Sequence, residues 1–182
     1  MEKSFETVTF WAKTGDDKNL GTSAPGISVF DHMVNVGWVA YYLAAQMPEI
    51  LQRFQFDVCD VAALAALHDL GKISPGFQRK CRAWIEQNNF QDIDQRERWD
   101  CLEGDHSAIS HYAIQDFLTV ENINPLRAKI IAAALGAHHG RVKYLPNDRG
   151  IKLLGVTENG SGIDWIYERQ CNAKAIWAYF NV

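Results

Sequence analysis

The chemistry of this sequence is concentrated in five histidines and one aspartate. Each histidine falls at the end or on the apolar face of a predicted helix, and the aspartate directly follows one of them; the set is His32, His68, Asp69, His106, His138 and His139. A single histidine on such a face is usually a core residue with a hydrogen-bond partner. Burying five imidazoles beside a carboxylate, however, costs several kcal/mol unless each ring has a partner. Because imidazole nitrogens and carboxylate oxygens suit first-row divalent ions, the set predicts a metal centre.

A single carboxylate with ligands on both sides can serve two metal ions at once. Two ions bridged in this way, about 3.5–4 Å apart, are the arrangement that two-metal phosphoesterases use. The remaining histidine, His111, is expected to be structural, because it lies five residues after His106 and therefore on a different face of the same helix.

Helices must bring these side chains together, and apolar periodicity with capping residues predicts six of them. The predicted helices are residues 28–47, a helix from Asp60 to Gly71, one that begins at Ser74-Pro75, one capped by Asp105, one from Asn124-Pro125 to Gly140, and a last helix over 163–180. The other segments are an irregular lead-in over residues 1–27, an exposed loop or short helix over 88–104, and a strand or loop over 141–160. The expected fold is therefore all-α, a helical bundle forming one domain over residues 1–182, with a short β-hairpin or irregular insertion around 141–160.

Composition excludes several classes of protein. The chain has 182 residues, of which 47% are apolar and 22% charged, as in an ordinary globular domain. A net charge of −4 argues against a broad surface that coats duplex DNA. Charges interrupt every apolar run before it could cross a membrane, and the first residues lack the apolar core of a signal peptide. The four cysteines include no C-x-x-C pair, which favours reduced thiols and a cytoplasmic protein.

The ordered motifs resemble those of the HD superfamily of metal-dependent phosphohydrolases. They are His32, H-D-L-G-K at 68–72, D-H-S at 105–107 and H-H-G at 138–140. More narrowly, they resemble the HD nuclease domain of the type I CRISPR-associated helicase-nuclease. The support for this narrower resemblance is W-A-K at 11–13, the segment A-L-H-D-L-G-K-I-S-P-G-F-Q at 66–78, and the paired histidines. The H-D-x-G-K core alone also occurs in nucleotide and cyclic-nucleotide phosphohydrolases of the superfamily.

The resemblance implies a helical HD-domain bundle and a set of roles at the site. One ion would be held by His32, His68 and Asp69, and Asp69 would bridge to a second ion held by His106, His138 and His139. Lys72 would lie near the scissile phosphate, the alternative being a solvated lysine after a helix cap. The ligand types allow manganese, nickel, cobalt, iron or zinc.

The sequence departs from the family pattern in two respects. The pattern ends with an aspartate well downstream of the paired histidines, whereas here Asp164 follows His139 by only 25 residues and is expected to cap a helix. No G-x-x-x-x-G-K-[ST] motif for a helicase is present. The expectation is a stand-alone HD domain or one that lacks its C-terminal part, with one retained ion as the alternative to two.

Basic residues near the motifs are candidates for guiding a nucleic acid. They are Arg79, Lys80 and Arg82 on one side, and Arg141, Lys143 and Lys152 on the other. Trp84 and Tyr144 are candidate stacking platforms for bases, although the helical stripe of Trp84 with Phe77 and Cys81 favours a core position. An ordinary solvated surface is the alternative interpretation of these charges.

The expected function is metal-dependent phosphodiester hydrolysis of single-stranded DNA in CRISPR antiviral interference, with Asp69 and Lys72 as catalytic residues. The expected partners are single-stranded DNA, a separate helicase subunit and the CRISPR interference complex, and no membrane. Two alternatives stay open. One is a nucleotide or cyclic-nucleotide phosphohydrolase on the same scaffold, and the other is a catalytically impaired protein that acts as a binding partner or decoy.

Overall fold

The computed structural model describes residues 8–17, 22–89, 105–141 and 163–182. Its helices are α1 (Val29–Ala44), α2 (Pro48–Phe54), α3 (Val58–Ala66), a 3-10 helix (Leu67–Lys72), α4 (Pro75–Gln78), α5 (Arg82–Gln87), α6 (His106–Val120), α7 (Pro125–Gly136) and α8 (Trp165–Tyr179). Two short strands, β1 (Thr14–Asp17) and β2 (Thr22–Pro25), pair antiparallel. The prediction of an all-α bundle is confirmed.

Helix α1 begins where the sequence predicts it and ends slightly earlier. The Ser28 hydroxyl accepts a hydrogen bond from the Asp31 main-chain N–H, which is an ordinary N-cap. The helix ends at Ala44, and Pro48 occupies the first turn of α2, where a missing N–H costs nothing. Pro48 therefore starts α2, a helix that was not among the six predicted.

Helix α3 is capped one turn earlier than predicted. Asp57 is the N-cap, and its side chain accepts from the Asp60 N–H while the Asp60 carboxylate accepts from the Asp57 N–H. This reciprocal pair is a capping box, so the prediction that Asp60 itself caps the helix is wrong by three residues. The small residues of α3 allow it to be buried, with Ala62, Ala63 and Ala66 fully enclosed.

The predicted helix from Asp60 to Gly71 is not continuous, because the chain tightens into a 3-10 helix after Ala66. Gly71 explains why this segment lies so close to α6: a Cβ on Gly71 would overlap the main chain at His106 and Ser110. The Gly71 N–H donates to the buried Ser110 hydroxyl at 2.9 Å. Gly71 therefore brings the elements that carry Asp69 and His106 into contact.

Helices α4 and α5 share the apolar face that was predicted for one helix. Ser74 caps α4 as expected, but Cys81 adopts an extended conformation (φ −108°, ψ 100°) that separates the two helices. Phe77, Cys81, Trp84 and Ile85 are nevertheless all buried. Trp84 is a core residue, as its stripe predicts, and its indole N–H donates to the Thr9 carbonyl. The stacking-platform hypothesis for Trp84 is therefore wrong.

Helices α6, α7 and α8 begin at the predicted caps. Asp105, Asn124 and Asp164 each accept hydrogen bonds from main-chain N–H groups of the following turn. Helix α7 ends at Gly136 rather than at Gly140, and residues 137–139 form a turn. A Cβ at Gly136 would lie 2.6 Å from Cβ of His111, so glycine is needed where α7 crosses α6.

The described part of the lead-in, residues 8–17 and 22–27, is less irregular than predicted, because it contributes to the core and forms the hairpin of β1 and β2. Phe10, Trp11 and Ala12 are buried, and the Phe10 ring packs against those of Trp84 and Trp165. The hairpin that follows was missed because its strands, T-G-D-D and T-S-A-P, have neither apolar alternation nor β-branched runs. The buried segment is held by contacts with distant parts of the chain, which periodicity cannot reveal.

Some expectations fall outside the described residues. Residues 90–104 of the predicted exposed segment and residues 142–160 of the predicted strand or hairpin are among them. So are three candidate substrate-binding residues, Lys143, Tyr144 and Lys152. Along the described part of the chain, no helix combines the length and apolar character needed to cross a membrane.

Candidate metal centre

Four elements of the bundle deliver the six predicted site residues to one place. His32 lies in the first turn of α1, His68 and Asp69 in the 3-10 helix, His106 at the start of α6, and the pair His138 and His139 in the turn after α7. The structure brings all six together.

The Asp69 carboxylate lies at the centre of the cluster, and its two oxygens face different histidines. Oδ2 lies 2.9 Å from Nε2 of His32 and 3.1 Å from Nε2 of His68. Oδ1 lies 3.3 Å from Nε2 of His106 and 3.5 Å from Nε2 of His138. Asp69 is only 3% exposed. One buried carboxylate thus separates two groups of imidazoles and touches both.

His139 joins the second group through a neighbouring ring. Its Nε2 lies 3.0 Å from Nε2 of His106, which in turn lies 3.4 Å from Nε2 of His138. The donor atoms form two groups, His32-His68-Asp69 and His106-His138-His139, each with all its atoms within 4.8 Å of one another. These are the two ligand groups that the resemblance implies.

The hydrogen bonds of His68 and His138 show which ring nitrogen faces Asp69 and therefore whether a cation would fit between them. Nδ1 of His68 lies 3.0 Å from the Ala65 carbonyl, and Nδ1 of His138 lies 2.8 Å from the Leu135 carbonyl. A carbonyl only accepts, so Nδ1 carries the hydrogen in both rings and Nε2 of each neutral ring presents a lone pair to Asp69. Lone pairs facing a carboxylate repel unless a cation lies between them. The donor set therefore suits a divalent metal, whose histidine ligands commonly donate their other N–H to a carbonyl.

Electrostatics favours the ligand forms of these groups. Burial alone would raise the pKa of Asp69, but the surrounding imidazoles of His106, His32 and His68 more than offset it and hold the pKa well below its usual value. Burial lowers the pKa of His138, although its hydrogen bond to Leu135 and the charge of Asp69 oppose that effect. An ionised carboxylate and a neutral imidazole are the states that bind metal.

Lys72 is part of the cluster. Its Nζ lies 2.8 Å from Oδ2 of Asp69 and donates to the Ala12 carbonyl at 3.2 Å, and the side chain is only 8% exposed. The alternative interpretation of Lys72 as a solvated residue after a helix cap is therefore wrong. Its predicted contact with a scissile phosphate stays a prediction.

The predicted substrate-guiding residues differ in their placement. Nζ of Lys80 lies 5.0 Å from the centroid of Phe77, whose ring is 5.3 Å from that of His106, so this exposed lysine lies near the cluster. Arg82 is exposed and pairs with Glu86 at 2.9 Å on its own helix. Arg79 is half-buried and Arg141 is exposed. Lys143 lies outside the described residues.

Two residues have the structural roles expected of them. Asp164 caps α8 by accepting from the Ile166 and Tyr167 N–H groups. His111 is buried and stacks on the Tyr112 ring, with centroids 5.1 Å apart.

Residues that support the site had no predicted role. Gln78, Trp11 and Ser110 are all buried. Gln78 and Ser110 each hydrogen-bond to the 3-10 helix that carries His68 and Asp69, and Trp11 hydrogen-bonds to Gln78. Trp11 and Gln78 belong to the motifs that carry the resemblance, which is the one signal that pointed to them. Their partners lie far away in sequence, so spacing could not identify their role.

Comparisons with known proteins agree with the motifs and the fold. A family model described as the HD domain of Cas3 matches residues 11–182. The CRISPR-associated endonuclease/helicase Cas3 of Thermus thermophilus is 28% identical over 142 residues, which are 73% of this chain and 14% of that protein. Two crystal structures each match 95% of this chain and 19% of their own. They are T. fusca Cas3, with a TM-score of 0.64 and 21% identity, and a CRISPR-associated protein, with a TM-score of 0.63 and 23% identity. The chain thus spans less than a fifth of the length of these relatives.

Proposed function

This chain belongs to the HD-domain family of Cas3, and we propose that it hydrolyses phosphodiester bonds of single-stranded DNA in CRISPR antiviral interference, in a reaction that requires divalent metal ions. The observation that carries the proposal is the Asp69 carboxylate, each of whose oxygens faces its own pair of imidazoles. A carboxylate shared in this way can hold two ions close enough to clamp one phosphate between them.

The distances between donor atoms support two ligand groups. His32, His68 and Oδ2 of Asp69 would hold one ion; Oδ1 of Asp69 with His106, His138 and His139 would hold the other. Ions bound at such sites supply a hydroxide nucleophile near neutral pH and stabilise the charge of the transition state. Of the described ligands His139 is the exposed one, so we propose that a phosphate of the DNA strand approaches from the side of the His138-His139 turn.

The chain's own residues then orient the reacting groups. The Ala65 and Leu135 carbonyls fix the rings of His68 and His138. The Lys72 ammonium accompanies the buried carboxylate and adds positive charge beside Oδ2 of Asp69. Lys80, held near the Phe77 ring, is positioned to meet the backbone of an incoming strand, a contact that salt would weaken.

We propose a helicase and the CRISPR interference complex as the partners that deliver the single strand. The support is the curated relative, an endonuclease/helicase of which this chain matches 14%. The sequence itself contains no G-x-x-x-x-G-K-[ST] motif, so strand separation by this chain alone is not expected.

The proposal is tested by counting metal and measuring cleavage with the same protein. The purified chain is stripped, reloaded separately with manganese, nickel, cobalt, iron or zinc, analysed for metal, and incubated with circular single-stranded DNA, circular duplex DNA and a panel of nucleotides. We expect about two ions per chain and cleavage of the single strand, since two-metal chemistry needs both ions. Asp69→Asn should lose both metal and cleavage, while Glu86→Gln should match the parent.

Each other result points away from this function. Unchanged cleavage by Asp69→Asn would exclude the centre as the site of hydrolysis. Turnover of nucleotides without cleavage of DNA would instead identify a nucleotide phosphohydrolase. One ion or none per chain, together with no hydrolysis of any substrate, would identify a binding partner or decoy.

A further inference from the structure

A buried side-chain amide connects the lead-in to the metal centre. Gln78 is fully buried at the end of α4. Its Oε1 accepts from the Trp11 N–H at 3.1 Å, and its Nε2 donates to the Trp11 carbonyl and to the Lys72 carbonyl, both at 2.9 Å. One N–H of the amide thus donates to the lead-in and the other to the 3-10 helix, so Gln78 links the two segments.

The hydrogen-bonded path continues from Trp11 to Asp69. The Trp11 indole N–H donates to the Gln78 carbonyl at 3.0 Å, so Trp11 and Gln78 are joined by three hydrogen bonds. Ala12, the next residue, accepts from Nζ of Lys72, and that ammonium lies 2.8 Å from Oδ2 of Asp69. The Ala12 N–H is itself fixed to the Ile27 carbonyl at 2.9 Å.

A lysine side chain has four flexible carbon–carbon bonds, so its ammonium keeps one position only if its surroundings are fixed. Gln78 fixes both ends of this side chain: it holds the main chain of Lys72 directly, and it holds the Ala12 carbonyl through Trp11. The Phe77 ring closes the remaining side, 4.8 Å from the Trp11 ring and 5.4 Å from Nζ of Lys72.

We propose that Gln78 is a positioning residue of the metal centre, which acts by holding the Lys72 ammonium between the Ala12 carbonyl and Oδ2 of Asp69. The consequence for hydrolysis rests on the proposed nuclease function, whereas the placement of Lys72 does not. Gln78 has no contact with the substrate in this proposal, and its whole effect passes through Lys72.

The test measures the accessibility of one amine. Gln78→Glu keeps the shape of the side chain but replaces the donor that serves the Trp11 and Lys72 carbonyls with an acceptor. Reductive methylation followed by mass spectrometry should then show Lys72 reacting at least about five-fold faster than in the parent, because a buried amine must be exposed in order to react. The exposed Lys129 and Lys174 serve as internal references. Asn172→Asp is the matched control, since its half-buried amide donates to the Glu168 carbonyl on its own helix, α8.

A double variant separates positioning from loss of stability. If Gln78 acts through Lys72, adding Gln78→Glu to Lys72→Met should lower DNA cleavage by less than about two-fold, whereas independent effects would multiply. Gln78→Met, of similar size and uncharged, replaces Gln78→Glu if circular dichroism shows the latter to be unfolded.

The outcomes are distinct. An unchanged Lys72 methylation rate in the folded Gln78 variant, or a full multiplicative loss in the double variant, would overturn the positioning role. Faster methylation of Lys72 in the variant, with a parent protein that cleaves no DNA, would support the placement of Lys72 by Gln78 and overturn only the proposed nuclease function.

Discussion

Nε2 of His106 lies 3.3 Å from Oδ1 of Asp69 although the two residues belong to different helices. The contact is possible because Gly71, two residues after Asp69, packs directly against the main chain of α6. The meeting of the two groups of site residues therefore depends on Gly71, which has no side chain, and a methyl group at this position should separate them.

Gly71→Ala is expected to destabilise the protein and weaken the metal centre together. The new Cβ would overlap His106 and Ser110, so α6 must move away, at a cost of about 1–3 kcal/mol in the free energy of unfolding. Urea denaturation and metal analysis measure the two effects. Gly15→Ala is the control, because its Cβ would meet its nearest neighbour at 3.8 Å. A Gly71→Ala protein with the parent's stability and metal content would contradict the packing.

Ser110→Ala removes the acceptor that holds the Gly71 N–H in the same contact. Both groups are buried, so the unsatisfied N–H should lower the free energy of unfolding by about 1–3 kcal/mol. Thr119→Ala, which loses a hydrogen bond between an exposed hydroxyl and the Gln115 carbonyl, should change it by less than about 0.5 kcal/mol. Equal effects of the two changes in urea denaturation would mean that the Ser110 bond contributes no more than a surface contact.

Replacing His68 or Asp69 by alanine should abolish metal retention and nuclease activity while helicity is largely kept. Asp69→Asn is the sharper variant, because it keeps the shape and removes the charge that both groups of imidazoles share. Mutation of a residue that only hydrogen-bonds to a metal ligand typically lowers metal affinity by roughly 10–100-fold. Asp69→Asn changes a proposed ligand itself, so calorimetric titration should show a larger loss of affinity for Mn²⁺. Glu86→Gln is the charge-matched control, since its pair with Arg82 is exposed and worth little. Parental affinity for Mn²⁺ in Asp69→Asn would refute the centre.

Asp164→Ala should cost stability without changing metal content. The carboxylate caps α8 through two main-chain N–H groups, and loss of such a cap costs about 1 kcal/mol in the free energy of unfolding. Asp164→Asn separates the two possible roles, since an amide oxygen still caps a helix but is a poorer metal ligand than a carboxylate. We expect Asp164→Asn to restore the free energy of unfolding that Asp164→Ala loses, and both variants to retain the parent's metal content. A large loss of metal in either variant would make Asp164 the missing ligand of the family pattern.

Local chemistry explains why much of the fold could be predicted. Ser74, Asp105, Asn124 and Asp164 each cap the helix that follows them, and a cap involves only the next two or three residues of the chain. The break after Ala66 could not be predicted in this way. It accompanies the close approach of the 3-10 helix to α6, which is a tertiary contact and overrides the helix-forming pattern of residues 60–71.

The site shows the same division between what the chain order reveals and what it does not. The six residues that the structure gathers were all named from motifs, because the ordered H, H-D, D-H and H-H groups can be read directly. The residues that support the site could not be predicted, because their hydrogen-bond partners are distant in sequence. Gln78 and Trp11 are 67 positions apart, and Lys72 and Ala12 are 60 apart. Nothing in a buried glutamine indicates its partner until the chain is folded.

The order of the proposed ligands along the chain determines how a single substitution affects the site. His32, His68 and Asp69 all precede His106, His138 and His139, so the first half of the protein supplies one triad and the second half the other. Only the carboxylate belongs to both. A substitution of one histidine leaves the other triad chemically intact, whereas a substitution of Asp69 alters both triads in a single step.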